Sequence, residues 1–212
     1  MNNQQVKQQA KRQKVLIINL YNKPTYTKEL EDNLCFWRVP YEIYGYASFG
    51  AIDFGRFSHI MLTGSDFFVP ATRVLSREQV ARVLAAGKPV LAQCYGFHLL
   101  AYYYGAPAYV RTFVKNKHKE YMRIPSPLVS EEGGVYFVNH WNYVAADLLG
   151  RDPAWDVISQ AAIVEDGQEK RYVVDAMMRN YPVLCLQYHP ESSETNYNFL
   201  YKWLNSTFSH LI

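Results

Sequence analysis

One cysteine of this chain stands where its thiol could act as a nucleophile. An apolar run, residues 89–93, leads directly into Cys94, and a helix-like stretch follows at once. A strand–turn–helix elbow pushes the side chain at its tip into the open above the sheet edge, and the helix N-terminus behind it stabilises a thiolate. A free cysteine is equally often a small core residue. This segment alone does not separate the two interpretations.

A histidine and a glutamate late in the chain supply the partners that a nucleophilic thiol needs. His189 and Glu191 follow the apolar run 183–188, and Pro190 fixes the backbone between them. Their side chains can lie in line, so that the carboxylate orients the imidazole and the imidazole accepts the thiol proton. Both segments lie at the carboxyl ends of predicted parallel strands, where open α/β sheets place their sites. The sequence therefore predicts a triad that these two residues complete with Cys94.

A glycine turn at a third strand end offers a way to stabilise negative charge. The run 59–63 passes into Gly64 and Ser65. Backbone N–H groups of this turn, together with the N–H of Tyr95, would form an oxyanion hole above the sulfur. A strand that ends in a turn is very common, so this motif has meaning only beside the other two.

Together these motifs resemble those of the class I (triad) glutamine amidotransferase family. The family's elbow, Gly-x-Cys-x-Gly-x-Gln, is similar to residues 92–98, and its distal motif, Val-Gln-Phe-His-Pro-Glu, is similar to residues 186–191. The family's oxyanion loop resembles residues 63–65. A fourth stretch, 139–142, resembles the segment whose backbone holds the α-amino acid end of glutamine. The resemblance spans about residues 15–208, nearly the whole body of the chain.

The resemblance implies a fold and a reaction. The fold would be a flavodoxin-like, three-layer α/β sandwich with a mainly parallel sheet and an antiparallel edge extension. The reaction would be hydrolysis of the glutamine side-chain amide to glutamate and ammonia, with Cys94 forming a glutamyl thioester, His189 transferring protons and Glu191 orienting the imidazole. No metal or organic cofactor is implied. The implied substrate-binding residues are His98, Asn139, His140 and Trp141.

Three residues depart from the family pattern and leave the substrate open. Ala92 replaces the first elbow glycine, Ser65 replaces the second glycine of the oxyanion loop, and His98 replaces the glutamine that helps to hold the substrate. Because related hydrolases also lack that glutamine, a γ-glutamyl peptide hydrolase of the same fold is one alternative. A non-catalytic binding or scaffold protein is another, suggested by the 18 tyrosines and the run 102–104.

The partners expected of such a chain are a small-molecule substrate and an ammonia-accepting enzyme. No acceptor domain is recognisable in the sequence, so a synthase subunit would be supplied in trans, or the protein would act alone. Residues 120–121, followed by 126–128, look most like the branch that contains the GMP synthetase amidotransferase domain.

The apolar runs predict the elements that must position these residues. Continuous apolar runs predict buried strands at 15–20 and 89–93, and the segments 41–46, 59–63 and 183–188 predict further strands. Amphipathic stretches predict helices at 27–37, 76–86, 97–104 and 194–205, with Thr27 and Ser76 as N-caps. Shorter pieces at 109–114, 135–139, 156–162 and 171–175 predict antiparallel additions at one edge. This order predicts an α/β fold with a mainly parallel sheet.

Composition places the chain among globular proteins. Its 212 residues are 49% apolar and 19% charged, which suits one domain, predicted over 15–212. No apolar run is long enough to span a membrane, and three cysteines without a visible secretory signal predict a reducing, cytoplasmic setting.

The positive net charge comes from the predicted disordered tail. Residues 1–14 contain four basic and no acidic side chains, whereas the net charge of the whole chain is +3. The body is therefore slightly acidic, and nucleic-acid binding by it is not expected. Lys11, Arg12 and Lys14 would be compatible with a weak nuclear signal, although a solubilising tail is the expectation.

Overall fold

A computed structural model describes residues 13–113, 118–124, 134–165, 167–192 and 197–205. Most of the predicted tail, the segment 126–128 and the predicted start of the last helix at 194–196 lie outside these ranges. The last two residues of the predicted tail lie on the body. The Gln13 side chain donates to the Leu204 carbonyl at 2.5 Å, and Lys14 forms an ion pair with Glu42 at 2.5 Å.

The chain forms eleven described strands and five described helices. The strands are β1 (Val15–Asn19), β2 (Tyr41–Gly45), β3 (His59–Leu62), β4 (Val90–Gln93), β5 (Val110–Thr112), β6 (His118–Ile124), β7 (Gly134–His140), β8 (Asn142–Val144), β9 (Trp155–Glu165), β10 (Gln168–Met178) and β11 (Val183–Leu186). The helices are α1 (Lys28–Phe36), α2 (Arg77–Ala85), α3 (Tyr95–Tyr104), α4 (Ala146–Leu149) and α5 (Tyr197–Asn205).

A seven-stranded sheet organises the molecule. Its order is β2-β1-β3-β4-β11-β10-β9, with β1 to β4 and β11 parallel, and with β10 and β9 antiparallel at one edge. Strands β1, β3, β4 and β11 are buried along their whole length, which explains their continuous apolar sequences. The predicted mainly parallel sheet with an antiparallel edge is confirmed.

Helices cover both faces of the sheet and make it a three-layer sandwich. Along β1, Leu16 and Ile18 pack into the core layer that contains residues of α2 and α3, whereas Val15 and Ile17 pack into the layer that contains residues of α1 and α5. This alternation is the period of two expected of a strand. No helix among the described residues is long and apolar enough to cross a membrane.

The caps of two helices differ in how well the sequence predicted them. Ser76 and Gln79 form the predicted capping box at the start of α2, and Gly87 follows that helix with a φ of +63°. Thr27 precedes α1, as expected, but its hydroxyl does not cap the helix. It donates instead to the Pro24 carbonyl at 2.8 Å, because residues 24–27 already form a 3-10 turn.

Two small antiparallel ladders stand beside the main sheet and bring residues 139–142 toward the strand ends. β6 pairs with β7, and β5 pairs with β8, so the pieces 109–114 and 135–139, predicted to extend the sheet edge, lie in separate ladders. The backbone N–H of His189 donates to the Phe137 carbonyl at 3.0 Å, which joins β7 to the segment after β11. The segment that resembles the family's substrate-binding stretch is therefore fixed next to the predicted triad.

Candidate active site

Cys94 occupies a sharp elbow between β4 and α3. Its φ of +46° and ψ of −104° lie where side chains other than glycine are rarely found, and its side chain is buried. The helix begins at Tyr95 and not at residue 97 as predicted, because the turn is completed within the cysteine itself. At Gly96 an added Cβ would lie 2.8 Å from the Leu62 Cβ, so only glycine allows α3 to pack this closely on β3.

His189 hydrogen-bonds to both Cys94 and Glu191. The Nδ1 atom of His189 is 3.2 Å from a carboxylate oxygen of Glu191. Burial favours the neutral imidazole, but hydrogen bonds to Cys94 and Glu191 outweigh it and raise the pKa of His189 to about 10. The structure thus brings the three predicted triad residues together in an arrangement that favours a protonated imidazole at His189.

Two further side chains hold Glu191, and sequence reasoning did not assign them a role. Gln93 donates to the second carboxylate oxygen at 2.8 Å, and Asn33 donates to the Glu191 backbone carbonyl at 3.4 Å. Gln93 is a polar residue at the end of the apolar strand β4, immediately before the nucleophile. That position was the signal by which it could have been found.

A second hydrogen-bond chain reaches the sulfur through Gln187. The Gln187 amide nitrogen lies 3.9 Å from the Cys94 sulfur, and its amide oxygen lies 2.9 Å from Nε2 of His98. Burial, opposed by the Gln187 hydrogen bond, lowers the pKa of His98 to about 4. Neutral His98 therefore donates to Gln187 through Nε2. His98 was predicted to bind substrate, and the structure shows that its Nε2 atom is occupied by the Gln187 side chain.

The predicted oxyanion loop is held to the end of β1. The Thr63 hydroxyl accepts from the Leu20 N–H at 2.9 Å, and the Ser65 hydroxyl donates to the Leu20 carbonyl at 2.8 Å. The N–H of Gly64 makes no hydrogen bond to a described residue. An added Cβ on Gly64 would lie 2.9 Å from the His189 ring, which places this loop directly beside the imidazole.

The side chain of Tyr95 anchors the other predicted oxyanion donor. Its hydroxyl donates to the Thr72 carbonyl at 2.6 Å and accepts from the Val74 N–H at 3.1 Å. Tyr95 is the first residue of α3, where backbone N–H groups have no partner within the helix. Its N–H is therefore available beside Cys94, while its ring holds the start of the helix in place.

Tyr21 is an additional residue of the site that sequence reasoning missed. Its hydroxyl lies against Gly64, at 2.5 Å from the position of an added Cβ. Burial raises the pKa of Tyr21, and the negative charges of Cys94 and Glu191 raise it further. The phenol therefore stays protonated as a donor. One tyrosine among 18, outside the recognised motifs, gave no sequence signal.

Two cavities meet beside the triad. The smaller, of about 140 Å³, is lined by Cys94, and the larger, of about 560 Å³, is lined by His189 and Glu191. Asp66 and Asn139 line both cavities. The predicted substrate residues all line the smaller cavity: His98, Asn139, His140 and Trp141.

In the segment 139–142, some side chains hold the local structure and others can still bind a ligand. His140 is buried, and its Nδ1 atom lies 2.7 Å from the Asn142 carbonyl, so this imidazole holds the turn. Trp141 is exposed and makes an edge contact with Phe68. The side-chain oxygen of Asn139 is buried and has no hydrogen-bond partner among the described residues. Asn139 therefore offers a free acceptor at the junction of the cavities.

No cluster for a metal ion accompanies the site in the part of the chain that the structure describes. Across these residues, no group of three or more histidine, cysteine, aspartate or glutamate side chains could hold one. The geometry of Cys94, His189 and Glu191 suits nucleophilic acyl transfer, in which a thiolate attacks a carbonyl carbon and backbone donors receive the oxyanion.

Comparison with known families agrees with this geometry. Residues 17–204 match the profile of the family described as glutamine amidotransferase class-I, which confirms the resemblance seen in the motifs. A search of curated protein sequences finds no match.

Solved structures share the fold. A protein from Thermoplasma acidophilum described as one subunit of a GMP synthase is 14% identical, with a TM-score of 0.66 over 91% of this chain and 92% of its own. PurLQS from Thermotoga maritima is 14% identical, with a TM-score of 0.66 over 91% and 98%. A glutamine amidotransferase from the same organism is 15% identical, with a TM-score of 0.59 over 84% and 76%.

Proposed function

The chain belongs to the class-I glutamine amidotransferase family, and from this premise we propose that it hydrolyses the side-chain amide of glutamine to glutamate and ammonia. The observation that carries the proposal is the geometry at the elbow. A strained, buried cysteine contacts an imidazole whose other nitrogen lies 3.2 Å from Glu191. A structural cysteine needs none of these features.

The reaction proceeds in two halves through a thioester. The Cys94 thiolate attacks the amide carbon, and the N–H groups of Gly64 and Tyr95, with Ser65 completing the loop, stabilise the oxyanion. The C–N bond breaks as His189 donates its proton to the leaving nitrogen, which departs as ammonia. Water, deprotonated by the now neutral imidazole, then attacks the thioester, and glutamate leaves as the thiol is regenerated.

The smaller cavity is the proposed glutamyl site. It is lined by the nucleophile and by the segment that resembles the family's substrate-binding stretch. The free oxygen of Asn139 can accept a hydrogen bond from the α-ammonium group of glutamine. His98 also lines this cavity, and through its Nε2 atom it orients Gln187.

The ammonia acceptor is proposed to be a synthase subunit in trans. Two structures of similar fold support this, because one is PurLQS and the other is described as part of a GMP synthase. The scaffold alternative gains no support from the tyrosine run, because Tyr103 donates to the Leu75 carbonyl at 2.9 Å and Tyr104 packs against Tyr181. These tyrosines are accounted for by packing within the chain.

The test is Cys94-dependent release of glutamate from L-glutamine. We expect the Cys94→Ala variant to lose turnover by about 1,000-fold or more, since the covalent route is removed. Cys185→Ala is the matched control, because Cys185 is also buried but lies within β11. If turnover needs a partner, an electrophilic glutamine analogue should still label Cys94 in the isolated protein. The absence of both turnover and labelling at Cys94 would refute the proposal.

A further inference from the structure

The two cavities beside the triad differ in size, and hydrolysis of glutamine uses only one of them. A glutamyl group fits the smaller cavity, of about 140 Å³, beside Cys94. Ammonia, the other product, has no substituent that would need a cavity of about 560 Å³. The larger cavity nevertheless adjoins the residue that must protonate the leaving nitrogen.

The direction of amide cleavage assigns the larger cavity to the leaving group. The imidazole of His189 has to face the departing nitrogen in order to protonate it. His189 and Glu191 line the larger cavity, whereas Cys94 lines the smaller one. A substituent on the amide nitrogen would therefore extend past His189 into the larger cavity while the glutamyl group stays with the sulfur.

The charges on the cavity wall select the substituent. Glu29 and Asp66 line the larger cavity, and neither forms an ion pair with a described residue. The one lysine of the lining, Lys28, is paired with Asp32 at 2.5 Å. Glu29 accepts a hydrogen bond from Ser192, which aligns its carboxylate along the same wall. The lining itself is therefore acidic, while the Lys23 ammonium group, outside the lining, lies 5.8 Å from the centre of the Tyr26 ring.

Aromatic rings complete the wall in a manner that suits an alkyl chain ending in a cation. Tyr21 and Tyr26 pack edge to face at 5.2 Å, and Phe137 lines the same cavity. Aromatic faces attract ammonium groups, and carboxylates bind them through charge-assisted hydrogen bonds. The negative charges of Asp66 and Glu29 are also felt at Tyr21, where they add to burial in raising the pKa of its phenol.

From these cavities we infer that the protein also cleaves γ-glutamyl amides whose nitrogen bears an alkyl chain that ends in an ammonium group, such as γ-glutamyl diamines. The inference rests on the proposed function, because the same thioester forms on Cys94. The γ-carbonyl to nitrogen bond breaks, His189 supplies the proton, and the diamine leaves through the larger cavity. Water then releases glutamate, so no further reactant is required.

Four substrates test this inference with the full-length protein. One is L-glutamine. The other three are the γ-glutamyl amides of 1,4-diaminobutane, n-butylamine and 4-aminobutyrate, and these amines share a four-carbon chain but differ in the charge at its far end. We expect kcat/KM for the diaminobutane amide to exceed that for the butylamide by about tenfold, as one charged hydrogen bond permits, and to exceed that for the aminobutyrate amide by more.

Variants of the cavity wall connect this preference to the structure. Glu29→Gln and Asp66→Asn should each reduce the ratio of kcat/KM between the diaminobutane amide and the butylamide. Glu169→Gln is a matched control, since Glu169 lies on β10 and pairs with Arg171. Thermal unfolding of each variant separates a loss of selectivity from a loss of folding.

The outcomes distinguish this inference from the proposed function. Turnover of L-glutamine without turnover of any substituted amide would overturn the leaving-group site and leave the glutaminase intact. Equal rates for the three substituted amides would overturn the role of charge. Turnover of the diamine derivative but not of L-glutamine would support the leaving-group site and refute glutamine as substrate. Inactivity on all four substrates would refute the leaving-group site, and it would also refute the proposed function if the electrophilic glutamine analogue failed to label Cys94.

Discussion

Two hydrogen-bond chains meet at the Cys94 sulfur, and they differ in charge. One runs through His189 to Glu191 and on to Gln93, and it carries an imidazolium held by a carboxylate. The other runs through Gln187 to His98, whose pKa is lowered to about 4, so it is neutral at physiological pH.

The difference shows how similar residues acquire opposite roles. Both histidines are buried, but only His189 has a carboxylate beside it. The charged chain can store and release the proton that amide cleavage moves. The neutral chain can only orient the sulfur, because an amide and a neutral imidazole neither gain nor lose a proton in this pH range.

Replacing the Glu191 carboxylate should have the largest effect, because it removes the negative charge that distinguishes the charged hydrogen-bond chain from the neutral one. In Glu191→Gln the imidazolium loses its counter-charge, and we expect kcat/KM on glutamine to fall by about 100-fold. The imidazolium form of His189 is lost as pH rises through the pKa of this residue, which is about 10 in the native protein. Without the carboxylate that pKa falls, so the alkaline limb of the kcat/KM profile should move to lower pH. An unchanged limb would contradict the assignment of Glu191.

Breaking the neutral chain should have a smaller effect of another kind. His98→Leu leaves the Gln187 amide oxygen without its donor, and we expect kcat to fall by about tenfold as the amide becomes free to turn. The alkaline limb of the pH profile should not move, since His98 carries no proton that the reaction uses. A shift of that limb would show that His98 is coupled to proton transfer.

Restoring the family's residue should have the smallest effect. In His98→Gln the new amide nitrogen can donate to Gln187, so we expect kcat to stay within about threefold of the native value. Comparing this variant with His98→Leu by steady-state kinetics separates the hydrogen bond from the bulk of the side chain. Loss of activity equal to that of His98→Leu would argue that His98 has a role that a donor alone cannot fill.

Much of the fold was predictable because its signals are local. The buried parallel strands are continuous apolar runs, and the capping box of α2 lies within four residues. The length of the antiparallel hairpin formed by β9 and β10 was underestimated. β9 and β10 have eleven residues each, longer than the predicted pieces 156–162 and 171–175, because exposed residues interrupt the apolar pattern along β9.

The partners within the site were less predictable because they depend on sheet register. Leu186 pairs with Gln93, which brings Gln187 beside Cys94 and Glu191 within reach of the Gln93 amide. Neither contact is visible from spacing, since about a hundred residues separate the two strands in the sequence. The motifs thus predicted the triad, while the supporting chains required the fold.

The direction of β1 has a practical consequence for handling the protein. In a parallel sheet the site lies at the carboxyl ends of the strands, and Val15 begins β1 at the opposite end, with Lys14 fixed there by its hydrogen bond to Ser58. Five residues of strand, about 17 Å, separate this entry point from the site edge. An affinity tag or surface linker attached ahead of this point joins the body on the side away from substrate entry, so immobilisation by that end should leave the cavities open.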